Sequence, residues 1–112
     1  MKLNAEKIGD ITVVVLGEDH LDTTNAKDFY RDVEPILLAN PKMVFDLTQL
    51  QFVDSSGLGA FVFCLKRLNA AGGDLKIFGM NKPVRVLFEL VRFHRIIEVY
   101  NNKEEAIRSF PR

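Results

Sequence analysis

The amino-acid sequence predicts an α/β domain with a mixed sheet of about five strands, some in parallel pairs, packed by about four helices. One pattern in the sequence predicts this fold class. Short apolar runs alternate along the chain with longer segments whose apolar residues recur at helical spacing. Strands that alternate with helices typically form parallel pairs, with the helices packed on the sheet. A length of 112 residues suits one hydrophobic core, so residues 1–112 are expected to form a single domain.

Composition and charge exclude several functional classes. Fifteen basic and fifteen acidic residues give no formal net charge, which argues against a nucleic-acid-binding protein. The apolar runs are far shorter than a membrane span, and no signal-peptide segment is recognised at the N-terminus. A cytoplasmic protein without membrane or nucleic-acid partners is therefore expected. Cys64 is the lone cysteine, which excludes an internal disulfide and a cysteine-built zinc site, and no metal or other cofactor is expected.

The chain is expected to open with a hairpin. Lys2–Ala5 and Ile11–Leu16 are the predicted strands, with the turn at Gly9-Asp10. Val13–Leu16 is apolar on successive residues, which is typical of an interior strand covered on both faces. Residues 17–20 are expected to form a loop.

Helical spacing then predicts a first helix, for which Thr23 or Thr24 is the expected N-cap. Pro35 is expected to kink or end this helix, because proline lacks the backbone N–H and crowds the preceding turn. A buried strand is expected at Met43–Leu47. The apolar residues expected on the inner face of the first helix are Phe29, Val33, Ile36 and Leu37.

The second half of the chain continues the alternation. A second helix is predicted from Asp54 or Ser55 to Ala71, then a strand at Leu75–Gly79 and a third helix entered through Asn81-Lys82-Pro83. The remaining expected elements are a last strand at Ile96–Tyr100 and a short helix, capped by Asn102, that holds Ala106, Ile107 and Phe110. The expected inner-face residues are Leu58, Phe61, Val62, Leu65 and Leu68 in the second helix, and Val84, Leu87, Phe88 and Val91 in the third.

The most informative segment is Phe52–Gly59, which leads into the second helix. It places two hydroxyls, those of Ser55 and Ser56, beside the carboxylate of Asp54. The N-terminus of a helix presents unpaired backbone N–H groups and the positive end of the helix dipole, so it favours an anion such as phosphate. This arrangement is typical of a switch.

The order of the predicted elements and the sequence Asp-Ser-Ser-Gly-Leu-Gly at Asp54–Gly59 resemble the STAS domain family, and more narrowly the bacterial anti-sigma factor antagonists. The resemblance covers nearly the whole chain. Further matches are Phe45-Asp46-Leu47 before the motif, Leu21-Asp22 before the first helix, and Gly72-Gly73 before the fourth strand.

The resemblance implies a protein-binding switch. In that family the unphosphorylated domain binds an anti-sigma factor that is also a serine kinase. The kinase phosphorylates the serine that follows the motif aspartate, and a serine phosphatase restores the active form. Ser55 is then the phosphoacceptor, and Asp22 is the acidic residue near it. The residues implied in partner binding are Asp22, Asp54, Ser56, Gly57, Leu58 and Gly59.

Some of these residues have a second interpretation from the sequence alone. Ser55 is also a favoured N-cap for the second helix. Gly57 and Gly59 are either needed by a tight turn or left bare for a partner that approaches the backbone. The second interpretation is favoured, because a glycine within a helix costs about 1 kcal/mol relative to alanine.

Phe63 is expected to contact a partner. A helical wheel places it on the outer face of the second helix, where an aromatic side chain is typical of an interface. The alternative is that a neighbouring loop covers it. Cys64 lies between the two faces and is expected to be an inert, partly buried thiol. The other residues placed on the outer face are Gly59, Ala60, Arg67 and Ala70.

No catalytic activity is expected. Ser55 with His20 or His94 would supply a nucleophile and a base, but Val53 stands where a nucleophile elbow has glycine. One other binding role stays open from the sequence. The chain also resembles STAS domains that serve as protein-interaction or nucleotide-sensing modules in stress complexes and transport regulators.

Overall fold

The computed structural model describes residues 1–111. The strands are β1 (Leu3–Ile8), β2 (Ile11–Leu16), β3 (His20–Leu21), β4 (Lys42–Asp46), β5 (Phe52–Val53), β6 (Asp74–Phe78) and β7 (Glu98–Tyr100). The helices are α1 (Ala26–Ala39), α2 (Ser55–Ala70), α3 (Lys82–Leu90) and α4 (Lys103–Arg108).

The main sheet has five strands in the order β1-β2-β4-β6-β7. β1 and β2 form the predicted antiparallel hairpin, and the pairs β2–β4, β4–β6 and β6–β7 are parallel. β2 is an interior strand, as its continuous apolar sequence predicts. The predicted fold class, a mixed sheet packed by four helices, is confirmed.

The hydrophobic core lies on both faces of this sheet. In β4, Met43 and Phe45 face the larger core with α1, α2 and α3, whereas Val44 faces a smaller core closed by α4. This division follows from the alternation of side chains along a strand. The larger core is centred on four fully buried phenylalanines whose rings meet at centroid distances of 5.9–6.2 Å, namely Phe29, Phe45, Phe61 and Phe88.

The N-cap of α1 is Asn25, so the prediction of Thr23 or Thr24 is wrong. The Asn25 side chain does not cap the helix by a hydrogen bond. Its Oδ1 accepts from the backbone N–H of Asp22 at 3.0 Å, and its Nδ2 donates to the carbonyl of His20 at 2.9 Å. Asn25 therefore fixes the turn that leads into the helix.

Pro35 does not end α1, which continues to Ala39. The turn beyond the proline is held by tertiary contacts. Leu37 is buried in the core. Asn40 donates from Nδ2 to the carbonyl of Ile36 at 2.9 Å, and its Oδ1 accepts from the hydroxyl of Thr12 in β2 at 2.6 Å. These contacts offset the cost of about 3 kcal/mol that an interior proline brings.

α2 ends as predicted at the paired glycines. Gly72 has φ +82°, a left-handed conformation that favours glycine. The N–H of Gly73 donates to the carbonyl of Leu68 at 2.8 Å, which closes the last turn. Two predictions about the faces of this helix are wrong, because Val62 is only half-buried and Ala60 is fully buried.

The third helix and the last strand are shorter than predicted. Val91 lies beyond the end of α3 and is exposed, so it is not part of the buried stripe. The chain then forms a 3-10 turn at Phe93–Arg95, and β7 begins only at Glu98. α4 is capped by Asn102, whose side chain accepts from the N–H of Glu105, as the sequence predicts.

Candidate functional site

The candidate site is the N-terminus of α2. Asp54 is the N-cap, and its Oδ1 accepts hydrogen bonds from the backbone N–H groups of Ser56 at 2.9 Å and Gly57 at 3.1 Å. Ser55 is the first helical residue and is exposed. Because Asp54 supplies the cap, the hydroxyl of Ser55 is not needed for it. The interpretation of Ser55 as a structural N-cap is therefore wrong.

A two-stranded parallel sheet, β3 with β5, supports this helix terminus. Its register pairs His20 with Phe52 and Leu21 with Val53. The carbonyl of Asp19 accepts from the N–H groups of Gln51 at 2.7 Å and of residue 52 at 3.1 Å. From the sequence, His20 is expected in a loop. The pairing of β3 with β5 is not predicted, because strands of two residues are too short to show periodicity.

The turn that begins at Asp22 is joined to the helix terminus. The carboxylate of Asp22 accepts from the N–H of Thr24 at 2.9 Å and from the Thr24 hydroxyl. This hydroxyl bond holds the pKa of the Asp22 carboxyl below its ordinary value. The backbone N–H of Thr23 donates to Oδ2 of Asp54 at 3.3 Å. The structure thus places the turn that begins at Asp22 against Asp54. Among residues 1–111, the Asp22 carboxylate itself accepts hydrogen bonds only from within that turn.

Packing within the protein explains why residue 57 is a glycine. A Cβ added there would lie 2.3 Å from the carbonyl oxygen of Leu21 and 2.4 Å from Cγ2 of Val53. The bare backbone of Gly57 is therefore needed for α2 to pack against β3 and β5. Leu58 is a core residue, 5% exposed. The expectation that these two residues lie on a docking surface is corrected: both are buried.

Gly59 behaves differently. It is exposed, and a Cβ placed on it would meet no heavy atom within 4 Å. Since no internal contact requires glycine here, the space above Gly59 is open to a partner. It lies one helical turn beyond Ser55 on the same face of α2.

Phe63 is half-buried rather than openly exposed. Its ring meets that of Tyr30 in α1 edge-on at a centroid distance of 5.0 Å, and the Arg67 guanidinium lies 5.5 Å from its centre. Arg67 in turn forms a two-pronged ion pair with Glu34, with distances of 2.7 and 3.0 Å. The cover comes from a neighbouring helix, not from the loop that the sequence analysis considered.

Phe52 was missed as a site residue. It is 55% exposed, the largest exposed fraction of any phenylalanine or tyrosine in residues 1–111. Val53 beside it is buried, and successive residues of a strand point to opposite sides. A sequence signal therefore existed, since the apolar pair precedes the motif aspartate, but the sequence does not show which of the two faces outward.

The two chain segments that build the site carry a net negative charge. The segments 17–26 and 43–65 contain no lysine or arginine. The neighbouring Asp19 carboxylate, 2.7 Å from Nδ1 of His20, raises the pKa of the His20 ring. The acidic residues of the two segments are Glu18, Asp19, Asp22, Asp46 and Asp54.

Two properties of residues 1–111 bear on other types of site. No group of three or more His, Cys, Asp or Glu side chains in this part of the chain is arranged to hold a metal ion. None of the helices described above combines the length and apolar character needed to cross a bilayer.

Comparison with known proteins gives consistent matches. The family model for the STAS domain matches residues 2–106. An anti-sigma-B factor antagonist of Listeria monocytogenes is 33% identical over 99 residues, covering 85% of this chain and 82% of that protein. An anti-sigma F factor antagonist of Paenibacillus polymyxa is 35% identical over 65 residues, covering 58% of this chain and 56% of that protein.

The fold is also similar to a solved structure. The crystal structure of a candidate anti-sigma factor antagonist from Thermotoga maritima aligns with a TM-score of 0.86 and 26% identity. The alignment covers 98% of this chain and 95% of that chain.

Proposed function

We propose that this chain, which belongs to the STAS domain family, is an anti-sigma factor antagonist that works by partner switching. Its unphosphorylated form binds an anti-sigma factor that is also a serine kinase, and this binding releases the sigma factor. Phosphorylation of Ser55 blocks the binding, and a serine phosphatase reverses it. The similarity to anti-sigma factor antagonists over most of the chain supports this role.

The main observation that supports the proposal is the accessibility of Ser55. Its hydroxyl is exposed at the start of α2, while the cap is supplied by Asp54. A kinase can therefore reach the hydroxyl without breaking a structural contact. Ser56 is a poorer acceptor because it is half-buried. The protein itself acts as a substrate and binding module in the cytoplasm, without catalytic activity of its own.

A phosphate on Ser55 would act mainly at the interface. It adds about −1.5 to −2 charges and three acceptor oxygens. The helix N-terminus favours this charge, whereas the carboxylate of Asp54 opposes it. Since these effects partly cancel within the domain, we expect the phosphorylated domain to stay folded. The change in partner binding then comes from the volume of the phosphate and from the cost of removing its charge from water.

The required energy is within reach of one phosphate. Changing a partner from 99% bound to 1% bound takes about 5.5 kcal/mol of differential binding. An uncompensated charge buried in a contact costs several kcal/mol. A phosphate at the centre of the contact can therefore switch binding, and we place Ser55, exposed at the helix terminus, at that centre.

The docking surface is proposed from the exposed and half-buried residues around Ser55. We place Ser56, Gly59, the turn of Asp22 and the uncovered edge of Phe63 on it. The other implicated residues support this surface from below: Asp54 caps the helix, Gly57 allows its close packing, and Leu58 anchors it in the core.

Phosphorylation by the cognate anti-sigma factor kinase, with ATP and magnesium, tests the acceptor. One phosphate is expected on the protein, located at Ser55 by fragmentation mass spectrometry. Ser55→Ala should abolish the modification, whereas the matched control Ser56→Ala should accept phosphate as the parent does. Phosphate found only on Ser56 or Ser109 would contradict the assignment.

Calorimetric titration with the same kinase tests the switch. Unmodified protein should bind, and protein phosphorylated on Ser55 should not bind measurably at the same concentrations. Ser55→Asp should weaken binding only in part, because a carboxylate is smaller and less charged than phosphate. Equal affinity of the phosphorylated and unmodified forms would overturn the proposed function.

A further inference from the structure

Phe52 combines exposure with a fixed backbone. Its ring is 55% exposed, yet the residue lies in β5 and pairs with His20 of β3. Its N–H donates to the carbonyl of Asp19 at 3.1 Å. An exposed aromatic side chain on a fixed backbone is suited to be an interface anchor, because little backbone entropy is lost when it binds.

Phe52 lies beside the phosphoacceptor. Residues Phe52 to Asp54 have extended backbone, so the side chains of the first and third point to the same side of the segment. The Cα atoms of Phe52 and Ser55 are at most about 11 Å apart, because each residue spans at most about 3.6 Å. Asp54, on the same side as the ring, contacts the first turn of α2. Because a standard interface buries about 800 Å² on each partner, a contact surface centred on Ser55 is wide enough to include Phe52.

The charge of this end of the molecule restricts the partner. The segments 17–26 and 43–65, which include β3, β5 and most of β4 and α2, carry five carboxylates and no lysine or arginine, whereas α3, which also contacts β5, carries Lys82 and Arg85. The backbone of Asp19 binds that of Phe52 directly. A surface that covers the ring from the side of β3 therefore lies beside the exposed Asp19 carboxylate, and complementary charge there avoids repulsion and speeds encounter.

We propose that Phe52 is an anchor residue of the docking surface, and that it fits an apolar pocket of the partner that is bordered by arginine or lysine side chains. The inference rests on the proposed function, because the partner meant here is the anti-sigma factor kinase that phosphorylates Ser55. To the proposed function the inference adds the chemistry of the partner's contact surface. It also names a contact, that of Phe52, which phosphorylation of Ser55 would break.

Phe52→Ala tests the anchor, with Leu38→Ala as the matched control. Leu38 is 73% exposed on α1 and lies outside the site segments. Affinity for the kinase is measured by calorimetry for both variants, together with their thermal midpoints. Phe52→Ala should weaken binding about tenfold or more, whereas Leu38→Ala should leave it within about twofold of the parent. Neither change should lower the thermal midpoint by more than a few degrees.

Salt dependence tests the charge of the partner's surface. The association rate should fall as ionic strength rises, and Asp19→Asn should lower the rate at low salt and flatten this dependence. An association rate that is insensitive to salt, or that increases with it, would overturn the basic border of the pocket. Equal affinities of Phe52→Ala and Leu38→Ala would overturn the anchor.

Failure of this inference is distinguishable from failure of the proposed function. If the parent protein is phosphorylated on Ser55 and binds the kinase while Phe52→Ala binds equally well, only the anchor is lost. If the parent protein neither binds nor is phosphorylated, the proposed function fails first. Sedimentation of the protein alone gives a third outcome: a dimer that Phe52→Ala dissociates would assign the ring to a second copy and overturn the partner pocket.

Discussion

The backbone N–H of Thr23 donates a hydrogen bond of 3.3 Å to Oδ2 of Asp54, 31 residues away in the chain. The other oxygen of this carboxylate caps α2 through the N–H groups of Ser56 and Gly57. One side chain therefore holds the start of the helix and the turn before α1 in a fixed relationship. The surface around Ser55 is thereby formed before any partner arrives.

Asp54→Ala should destabilise the domain by about 0.5–2 kcal/mol, the usual cost of removing an N-cap. The turn around Thr23 loses its contact in the same variant. Asp54→Asn is the comparison, because asparagine keeps one oxygen to cap the helix but has an NH2 group, which cannot accept from the Thr23 N–H, in place of the second oxygen. Urea unfolding of the two variants checks this. If the asparagine variant loses as much stability as the alanine variant, the second carboxylate oxygen, through its charge or its bond to Thr23, rather than the cap would be responsible.

Gly57→Ala and Gly59→Ala should have opposite effects on stability. At position 57 the new Cβ would lie 2.3 Å from the Leu21 carbonyl oxygen, an overpacking that typically costs about 1–3 kcal/mol. At position 59 nothing lies within 4 Å, so alanine should stabilise the helix by up to about 1 kcal/mol.

The same pair separates folding from binding. If a partner approaches Gly59 closely, its alanine variant should be more stable yet bind the kinase less tightly. A thermal scan and a calorimetric titration on each variant provide both quantities. A Gly57→Ala protein as stable as the parent would contradict the packing of α2 against β3.

Phe63→Ala should lower stability by about 1–2 kcal/mol, because the half-buried ring contacts Tyr30 and Arg67. Phe61→Ala is the core control: that ring is fully buried, and its removal should cost about 3–5 kcal/mol. Affinity for the kinase should fall with Phe63→Ala if its uncovered edge is part of the docking surface. Unchanged affinity together with the loss of stability would leave Phe63 as a helix-packing residue only.

Cys64 should resist thiol reagents in the native protein. Burial raises the pKa of its thiol to about 12, so the reactive thiolate is scarce at neutral pH. The side chain is fully buried rather than partly buried as expected. Labelling with a chromogenic disulfide should be slow under native conditions and fast in guanidinium chloride. Rapid labelling of the folded protein would show that α2 opens readily.

Much of the candidate site could be predicted from local sequence. The helix terminus at Asp54 and Ser55 follows from a capping residue placed before a helical apolar pattern. The role of Gly57 could not be predicted, because its cause is the carbonyl of Leu21 in a distant segment. Phe52 was missed for a related reason. β5 has two residues, Phe52 and Val53, and the pairing of β5 with β3 decides which of their side chains is exposed.

The sequence by itself determined the order of the elements, the mixed sheet and the location of the helix terminus, since backbone preferences and apolar periodicity act between near neighbours in the chain. Only the tertiary structure decided that α1 runs past Pro35, that Phe63 is covered by Tyr30, and that Gly57 is buried while Gly59 is open. These outcomes depend on packing between segments far apart in sequence, whose energies match or exceed the local preferences they override.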